Sequence, residues 1–405
     1  MDTCDFLVIG GGVIGLSVAR ELRRRHADAR VRLIEKEPDT GLHASGRNSG
    51  VLHAGFYYTP DSLKARFTRD GNARLREYCA SRNIPLNTCG KLVVARNQGE
   101  HAGLDTLLER GRKNGIALQS ITGQEAREIE PRVLTAGRAL WSPTTASVDP
   151  KQVVAAMRND AIHEGIRIDR GVRFLARDRD RVCTSAGTVS AGYVVNAAGL
   201  QADQIARQFG FSSGYRIVPF KGLYLYSDEA PGALRTNVYP VPDLRNPFLG
   251  VHFTVAANGA IKIGPTAIPA FWREHYQGFG GFDLGELAAV CYRQTRLFLA
   301  PETGLWRLAV AEMKKYSRAH MVALAGELVS GTNLAQYRHW GKPGLRAQLV
   351  DIRKNRLEMD FVLEGDARSM HVLNAVSPAF TCSLPFAAHV ADRIADVMQG
   401  RSVSK

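Results

Sequence analysis

The stretch Phe6-Leu7-Val8-Ile9-Gly10-Gly11-Gly12-Val13-Ile14-Gly15 decides the fold. A short apolar run enters a G-x-G-x-x-G turn, and a helix-compatible segment, Leu16 to Arg25, leaves it. Each glycine of the pattern answers a separate demand: Gly10 permits the tight turn, Gly12 lets the backbone approach a pyrophosphate, and Gly15 lets the helix pack on the strand. The free N–H groups and positive dipole end of the helix, at Val13 and Ile14, then face phosphate. Val31-Arg32-Leu33-Ile34 reads as the next strand, closed by Glu35 20 residues after Gly15, where a carboxylate accepts hydrogen bonds from an adenosine ribose. A glycine turn alone is a weak signal. With the strand before it, the helix after it and the acid at that distance, it reads as a dinucleotide site.

The rest of the composition narrows the class. At 405 residues and 45% apolar content the chain has room for two or three domain-sized units. Its six cysteines (Cys4, Cys79, Cys89, Cys183, Cys291, Cys382) contain no C-x-x-C pair, so neither a metal site nor a disulfide framework is expected, and a reducing compartment suits them. Nothing resembles a signal peptide, and no apolar run approaches the ~18 residues of a spanning helix, so a cytoplasmic location is expected. The formal charge of +14 admits an anionic substrate and cofactor phosphates, an anionic membrane surface, or nucleic acid. Apart from Arg23-Arg24-Arg25 the basic residues are dispersed, and no zinc-finger or RNA-binding signature accompanies them, so no nucleic-acid partner is expected. A basic surface with no specific partner is the plain alternative to peripheral contact with the inner face of the cytoplasmic membrane.

Further along, a polar loop from Lys36 to Gly46, containing Ser45, leads into Arg47-Asn48-Ser49-Gly50-Val51-Leu52-His53-Ala54-Gly55, whose small residues suit close approach to something flat and bulky. Ser62 caps a helix to about Ala80, with Gly71 as a weak point inside it. Lys91 to Ala95 reads as a strand and Leu104 to Lys113 as a surface helix, in an excursion that ends near Thr144. Asp149 and Pro150 open a helix to about Glu164. Short strands around Val172 follow, then Tyr193-Val194-Val195-Asn196-Ala197-Ala198-Gly199, an apolar strand ending in small residues. Residues 215–267 read as strands over Arg216–Tyr226, Asn237–Val241, Gly250–Val255 and Ala260–Gly264, with a hairpin turn at Asn258-Gly259. Helical spacing covers Leu284–Leu299 and Leu305–Leu328. The chain closes with Gly344–Gln348, a turn at Lys354-Asn355, a strand His371–Asn374, and Ala375-Val376-Ser377-Pro378-Ala379 before a helix to about Met398.

Taken together, Gly10 to Gly15, Glu35 and Val194 to Gly199 resemble the FAD-dependent oxidoreductases of the D-amino-acid oxidase type. More specific stretches are similar to the L-2-hydroxyglutarate dehydrogenases and oxidases. They are Asn48–Gly55 with Tyr57-Tyr58, Ser62-Leu63-Lys64-Ala65, Val218-Pro219-Phe220-Lys221-Gly222, Tyr239-Pro240-Val241-Pro242-Asp243, Pro247–Thr254, Gly344–Gln348, and His371–Ala375 with Ser377-Pro378. The likeness runs from residue 5 to about 398. The chain departs from that family's usual pattern at Lys221, Thr266, Val376 and Phe380, where arginine, asparagine, proline and alanine are the rule.

The resemblance implies an α/β fold of the glutathione-reductase/D-amino-acid-oxidase kind. A Rossmann-type FAD domain would be assembled from residues 1–82, 145–213 and 341–402, and an α+β, β-rich substrate domain from 83–144 and 214–340. It implies FAD as cofactor, held by Gly10, Gly12, Val13, Ile14, Gly15, Glu35, Lys36, Ser45, Asn48, Ser49, Gly50, His53, Val172, Ala197, Ala198, Gly199, Arg346, Ser377, Pro378 and Ala379. It implies oxidation of a small anionic L-2-hydroxy acid, foremost L-2-hydroxyglutarate, with electrons passed to a quinone or to O2. The alternatives are an amino-acid oxidase of the glycine or D-amino-acid kind, and a flavin-binding protein without turnover. Such chemistry needs cations for the carboxylates and a base for the hydroxyl proton. Arg346 is the first choice of cation because its fork suits a carboxylate, and Lys221 is the second. His53 and His252 are the candidate bases, His53 also as a residue hydrogen-bonded or covalently attached to the flavin. His371 reads as structural. Thr381 and Ser383 extend the helix start beside the flavin.

Overall fold

A computed structural model describes residues 2–243, 249–299 and 305–401. The first strand, Asp2–Ile9, forms with every residue from Phe6 to Ile9 buried or nearly so, as an apolar run flanked on both edges must be. It lies parallel to Val31–Glu35 on one side and to Gly187–Asn196 on the other, with Val8 opposite both Leu33 and Val195. Arg167–Arg170 extends the sheet in parallel beyond Val31–Glu35. On its other edge the long strand Gly187–Asn196 serves two neighbours: its first half pairs antiparallel with Arg181–Thr184 and its last residues pair parallel with Ser369–Asn374. The eight-stranded sheet is thus built from the two ends and the middle of the chain.

Helices Val13–Arg25, Leu63–Ser81, Pro150–His163 and Ala379–Met398 bury their apolar stripes against one another and this sheet in one core containing Leu16, Leu22, Phe67, Leu75, Met157 and Phe386. Local caps start two of them as expected. Ser62 Oγ accepts from Ala65 N, and the Asp149 carboxylate accepts from Lys151 N ahead of Pro150. Gly71 does not break its helix. A Cβ there would stand 2.1 Å from Thr381 O, so the glycine is where the terminal helix comes closest.

A second eight-stranded sheet runs in the order His339–Trp340, Leu225–Tyr226, Ile261–Gly264, His252–Val255, Asn237–Pro240, Lys91–Val94, Arg138–Ser142, Gln119–Thr122. The hairpin at Asn258-Gly259 forms, with Gly259 at φ +80°. A four-stranded sheet joins Ile268–Pro269, Tyr215–Gly222, Gly344–Asp351 and Arg356–Leu357. The single strand expected over Arg216–Tyr226 is therefore two, in different sheets. The break falls at Leu223, whose N–H donates to Thr266 Oγ1 and whose carbonyl accepts from Thr266 N instead of a ladder partner. The helix expected over Leu305–Leu328 is likewise two, Leu305–Lys314 and Arg318–Gly326, because Ser317 caps the second by accepting from His320 N. Within the motif Pro247–Thr254, residues Pro247 and Phe248 lie outside the described residues.

Candidate active site

A deep cleft opens at the carboxyl ends of the strands Asp2–Ile9, Val31–Glu35, Gly187–Asn196 and Ser369–Asn374, the edge at which open α/β sheets bind their ligands. Of the residues singled out in the sequence, Gly10, Gly12, Val13, Ile14, Glu35, Lys36, Ser45, Asn48, Ser49, His53, Val172, Ala197, Ala198, Gly199, Arg346, Ser377, Pro378 and Ala379 all line it. Four do not. Gly15 and Gly50 stand behind the wall, where added Cβ atoms would meet Gly10 O at 1.9 Å and Val148 O at 2.2 Å; they are close-packing positions. Lys221 and His252 are also off the wall.

One end of the cleft is made for phosphate. Gly10 has φ +110°, and a Cβ on it would stand 2.6 Å from Ala197 O. Helix Val13–Arg25 starts at Gly12 with no side-chain cap and no acid in its first turn, so its positive end faces the cleft. Ser45 Oγ accepts from Val13 N at 2.9 Å. Glu35 is buried, its two oxygens accepting from Gly11 N (2.6 Å) and Glu37 N (2.9 Å), and each oxygen keeps a lone pair for a ribose hydroxyl. Lys36 Nζ bonds the carboxylates of Glu37 (2.8 Å) and Glu274 (2.5 Å), and His43 joins Glu37. Potential ligand atoms of Glu37, His43 and Glu274 lie within 4.8 Å of one another, but the Lys36 ammonium already bridges the two acids.

The other end is closely packed. Asn48 folds onto its own loop, donating to Ser45 O and accepting from Gly50 N. Thr381, in the first turn of the terminal helix, accepts from His53 N (3.2 Å) and donates to Val51 O (3.3 Å), which ties the helix to the loop. Ser383 is fully buried in the same turn. His53 Nδ1 is buried with no hydrogen-bond partner among the described residues, while the residue lines the cleft. Burial, then the charge of Lys91, pushes the His53 pKa well below 6.5. His252 stacks on Tyr239 at 3.6 Å, its Nδ1 lies 2.8 Å from Gly250 O, and burial holds it neutral too.

Arg346 and Lys221 do not act as a pair. Phe220 lies opposite Arg346 and Lys221 opposite Leu345, so the two cationic side chains leave their sheet on opposite faces. Register, which residue spacing along the chain does not reveal, separates them. His371 is enclosed by Phe209 and Phe211 and hydrogen-bonded to Asn196 and Ser369, away from the cleft. Two buried cations on the large sheet were not singled out in the sequence: Lys262, whose Nζ donates to Ser49 O at 3.0 Å, and Lys91. Their signal was a lysine in an otherwise apolar strand, at the start of Lys91–Val94 and inside Ile261–Gly264.

Comparison with known proteins agrees with this geometry. Residues 5–393 match the model of the family described as FAD dependent oxidoreductase. The chain is 36% identical to a mitochondrial L-2-hydroxyglutarate dehydrogenase of Nematostella vectensis, over 97% of this chain and 90% of that protein. It is 33% identical to the L-2-hydroxyglutarate dehydrogenase of Escherichia coli K12, over 98% and 94%. The chain belongs to the L-2-hydroxyglutarate dehydrogenase family of FAD-dependent oxidoreductases. Solved structures show the same fold: the L-α-glycerophosphate oxidase of Mycoplasma pneumoniae with FAD bound (TM-score 0.75, 21% identity, 98% of this chain and 95% of that one), and glycine oxidase of Geobacillus kaustophilus (TM-score 0.71, 20% identity, 100% and 96%). As in other members of an FAD-dependent family, FAD is the cofactor, and the glycine turn, uncapped helix start and buried Glu35 fit its ADP half.

Proposed function

We propose that this dehydrogenase oxidises L-2-hydroxyglutarate to 2-oxoglutarate, with His53 as the base and Arg346 holding the α-carboxylate. The observation that carries the reading is a neutral imidazole, its Nδ1 buried and without a hydrogen-bond partner among the described residues, in a residue that lines the same cleft as Arg346. The bound flavin supplies the acceptor for the hydride from the substrate's Cα. His53 takes the hydroxyl proton, and its depressed pKa keeps it in the receptive form at neutral pH. Arg346 enters from the strand Gly344–Asp351 and supplies a planar fork for a carboxylate. Main-chain N–H groups at the start of the helix Ala379–Met398 face the flavin end and stabilise negative charge there. The test is an anaerobic titration of the yellow holoenzyme. Bleaching by L-2-hydroxyglutarate but not by its D-enantiomer or glycine supports the reading; bleaching by glycine alone would move the protein to the amine oxidases.

The division into an FAD domain (1–82, 145–213, 341–402) and a substrate domain (83–144, 214–340) is part of the proposal. Its strongest support is the separate sheets, although Gly344–Asp351 pairs along its whole length with Tyr215–Gly222 across that division.

Electrons then pass to a quinone or to O2, and a membrane contact favours the quinone. No helix among the described residues is long and apolar enough to cross a membrane. The helices Leu284–Phe298 and Leu305–Lys314 and the loop before them nevertheless expose Phe279 (82%), Leu284 (70%), Leu299 (75%) and Trp306 (50%). Arg296 and Arg307 sit over the Tyr292 and Trp306 rings in the same region. An apolar face with cations beside it suits an anionic bilayer, here the inner face of the cytoplasmic membrane. Phe279→Asp with Leu299→Asp should release the protein from anionic vesicles at low salt; unchanged co-sedimentation would discard this face.

A further inference from the structure

Alternation along four neighbouring strands gives the large sheet two unlike faces. Leu92, Val238, Phe253, Val255, Ile261 and Ile263 point into an apolar core, so Lys91, Tyr239, His252, Thr254 and Lys262 project on the other side. That second face is buried as completely as the first. It packs over the run that carries His53 to Tyr57. There Lys91 Nζ lies 5.1 Å from the centre of the Tyr57 ring, 5.7 Å from that of Phe56 and 4.1 Å from that of Tyr239.

Lys91 is fully buried, and among the described residues no hydrogen bond reaches its Nζ. The Tyr57 hydroxyl and His53 Nδ1 are buried and unpartnered in the same way. Ring faces compensate part of the desolvation of an ammonium, but they do not replace its hydrogen bonds. The cost shows in the Lys91 pKa, brought down to about 7 by burial. A lysine kept for packing alone would be better replaced by an apolar side chain of its size. A buried ammonium and a phenolic O–H, neighbours and both without an acceptor among the described residues, match an anion. This place lies directly behind the cleft wall. Tyr57 follows His53, which lines the cleft, by four residues, and from the same sheet face Lys262 Nζ donates to the carbonyl of Ser49 on that wall.

We propose that Lys91, with the Tyr57 hydroxyl beside it, receives the second carboxylate of the substrate and so selects a dicarboxylic over a monocarboxylic 2-hydroxy acid. This rests on the reading of His53 and Arg346 as the groups at the hydroxyl and α-carboxylate. Lys221, the second candidate cation of the sequence, lies on the opposite face of its sheet from Arg346.

The test compares L-2-hydroxyglutarate with L-2-hydroxyvalerate, a five-carbon analogue without the distal carboxylate, on wild type, Lys91→Met and Tyr57→Phe holoenzymes. At a pH well above the acid limb of both proteins, Lys91→Met should lower kcat/KM for the diacid by about 100-fold, as expected when one partner of a buried charged pair is removed, and change that for the monoacid less than about threefold. Tyr57→Phe, which removes one oxygen and keeps the ring, should lower only the diacid, by about 10-fold. Calorimetric binding of glutarate and valerate to the same proteins should show the same loss for the dicarboxylate alone. Equal losses on both substrates, or an unchanged preference, would overturn the assignment. If wild type does not oxidise L-2-hydroxyglutarate, the functional reading fails. Glutarate affinity then judges Lys91 by itself: a weaker complex in Lys91→Met supports the site, and an unchanged one removes it.

Discussion

Replacing Gly71 by alanine tests how the terminal helix holds the flavin end of the cleft. In an unhindered helix interior this change stabilises by about 1 kcal/mol, because glycine is the poorer helix former. Here the new Cβ would lie 2.1 Å from Thr381 O, 2.9 Å from Thr381 C and 3.0 Å from Cys382 Cα, all backbone atoms that no rotamer change can move. Restoring ordinary contact at 3.4 Å requires the helices Leu63–Ser81 and Ala379–Met398 to part by about 1.3 Å. Overpacking costs about 1–3 kcal/mol, and a clash with backbone atoms belongs at the upper end, about 2–3 kcal/mol; less the propensity gain, a net loss of about 1–2 kcal/mol is expected. The displacement also reaches the site, because Thr381 links the terminal helix to His53 N and Val51 O. Flavin content and kcat should therefore fall along with stability. Urea unfolding of the holoenzyme, followed by flavin fluorescence and far-UV circular dichroism, measures both. Gly326→Ala, at the end of the helix Arg318–Gly326 with nothing closer than 4.0 Å, is the control and should be neutral or stabilising. A Gly71→Ala protein as stable as wild type, with full flavin, would refute the close-packing argument.

Other expectations follow from the site. Arg346→Ala should lower kcat/KM by about 2–4 kcal/mol equivalent with FAD retained, and near-normal steady-state kinetics would remove Arg346 from the substrate. Gly12→Leu projects a side chain into the phosphate end of the cleft and should yield colourless protein; a fully flavinated variant, judged by its visible spectrum, would contradict the pyrophosphate assignment. Burial and the Lys91 charge both push the His53 pKa down, so its neutral, proton-accepting form persists to well below pH 6.5. The acid limb of kcat/KM should accordingly lie below pH 6.5, and Lys91→Met should move it upward by removing the positive charge. An acid limb at or above pH 6.5 in wild type would argue against His53 as the base.

What the sequence determined by itself was whatever depends on neighbours along the chain. The glycine turn with its strand, helix and Glu35, the caps at Ser62 and at Asp149-Pro150, and the hairpin at Asn258-Gly259 each complete their interactions within a few residues or one supersecondary unit, so their residue types carry the information. The run of family motifs added FAD and the class of reaction, because residues that touch one cofactor are retained in order along the chain. Tertiary structure decided what depends on register and on distant partners. Arg216–Tyr226 has strand composition throughout, and only Thr266, from another part of the chain, splits it between two sheets. Gly71 reads as a weak point until the terminal helix is seen lying on it. Lys221 and Arg346 are equally plausible cations in sequence, but a side-chain period of two and a pairing of Phe220 with Arg346 send them to opposite faces. Lys91 looks like an ordinary charged residue near a strand end; it becomes a buried, unpartnered cation near His53 only when the large sheet closes over the loop, because burial is a property of the assembled layers and not of any local sequence.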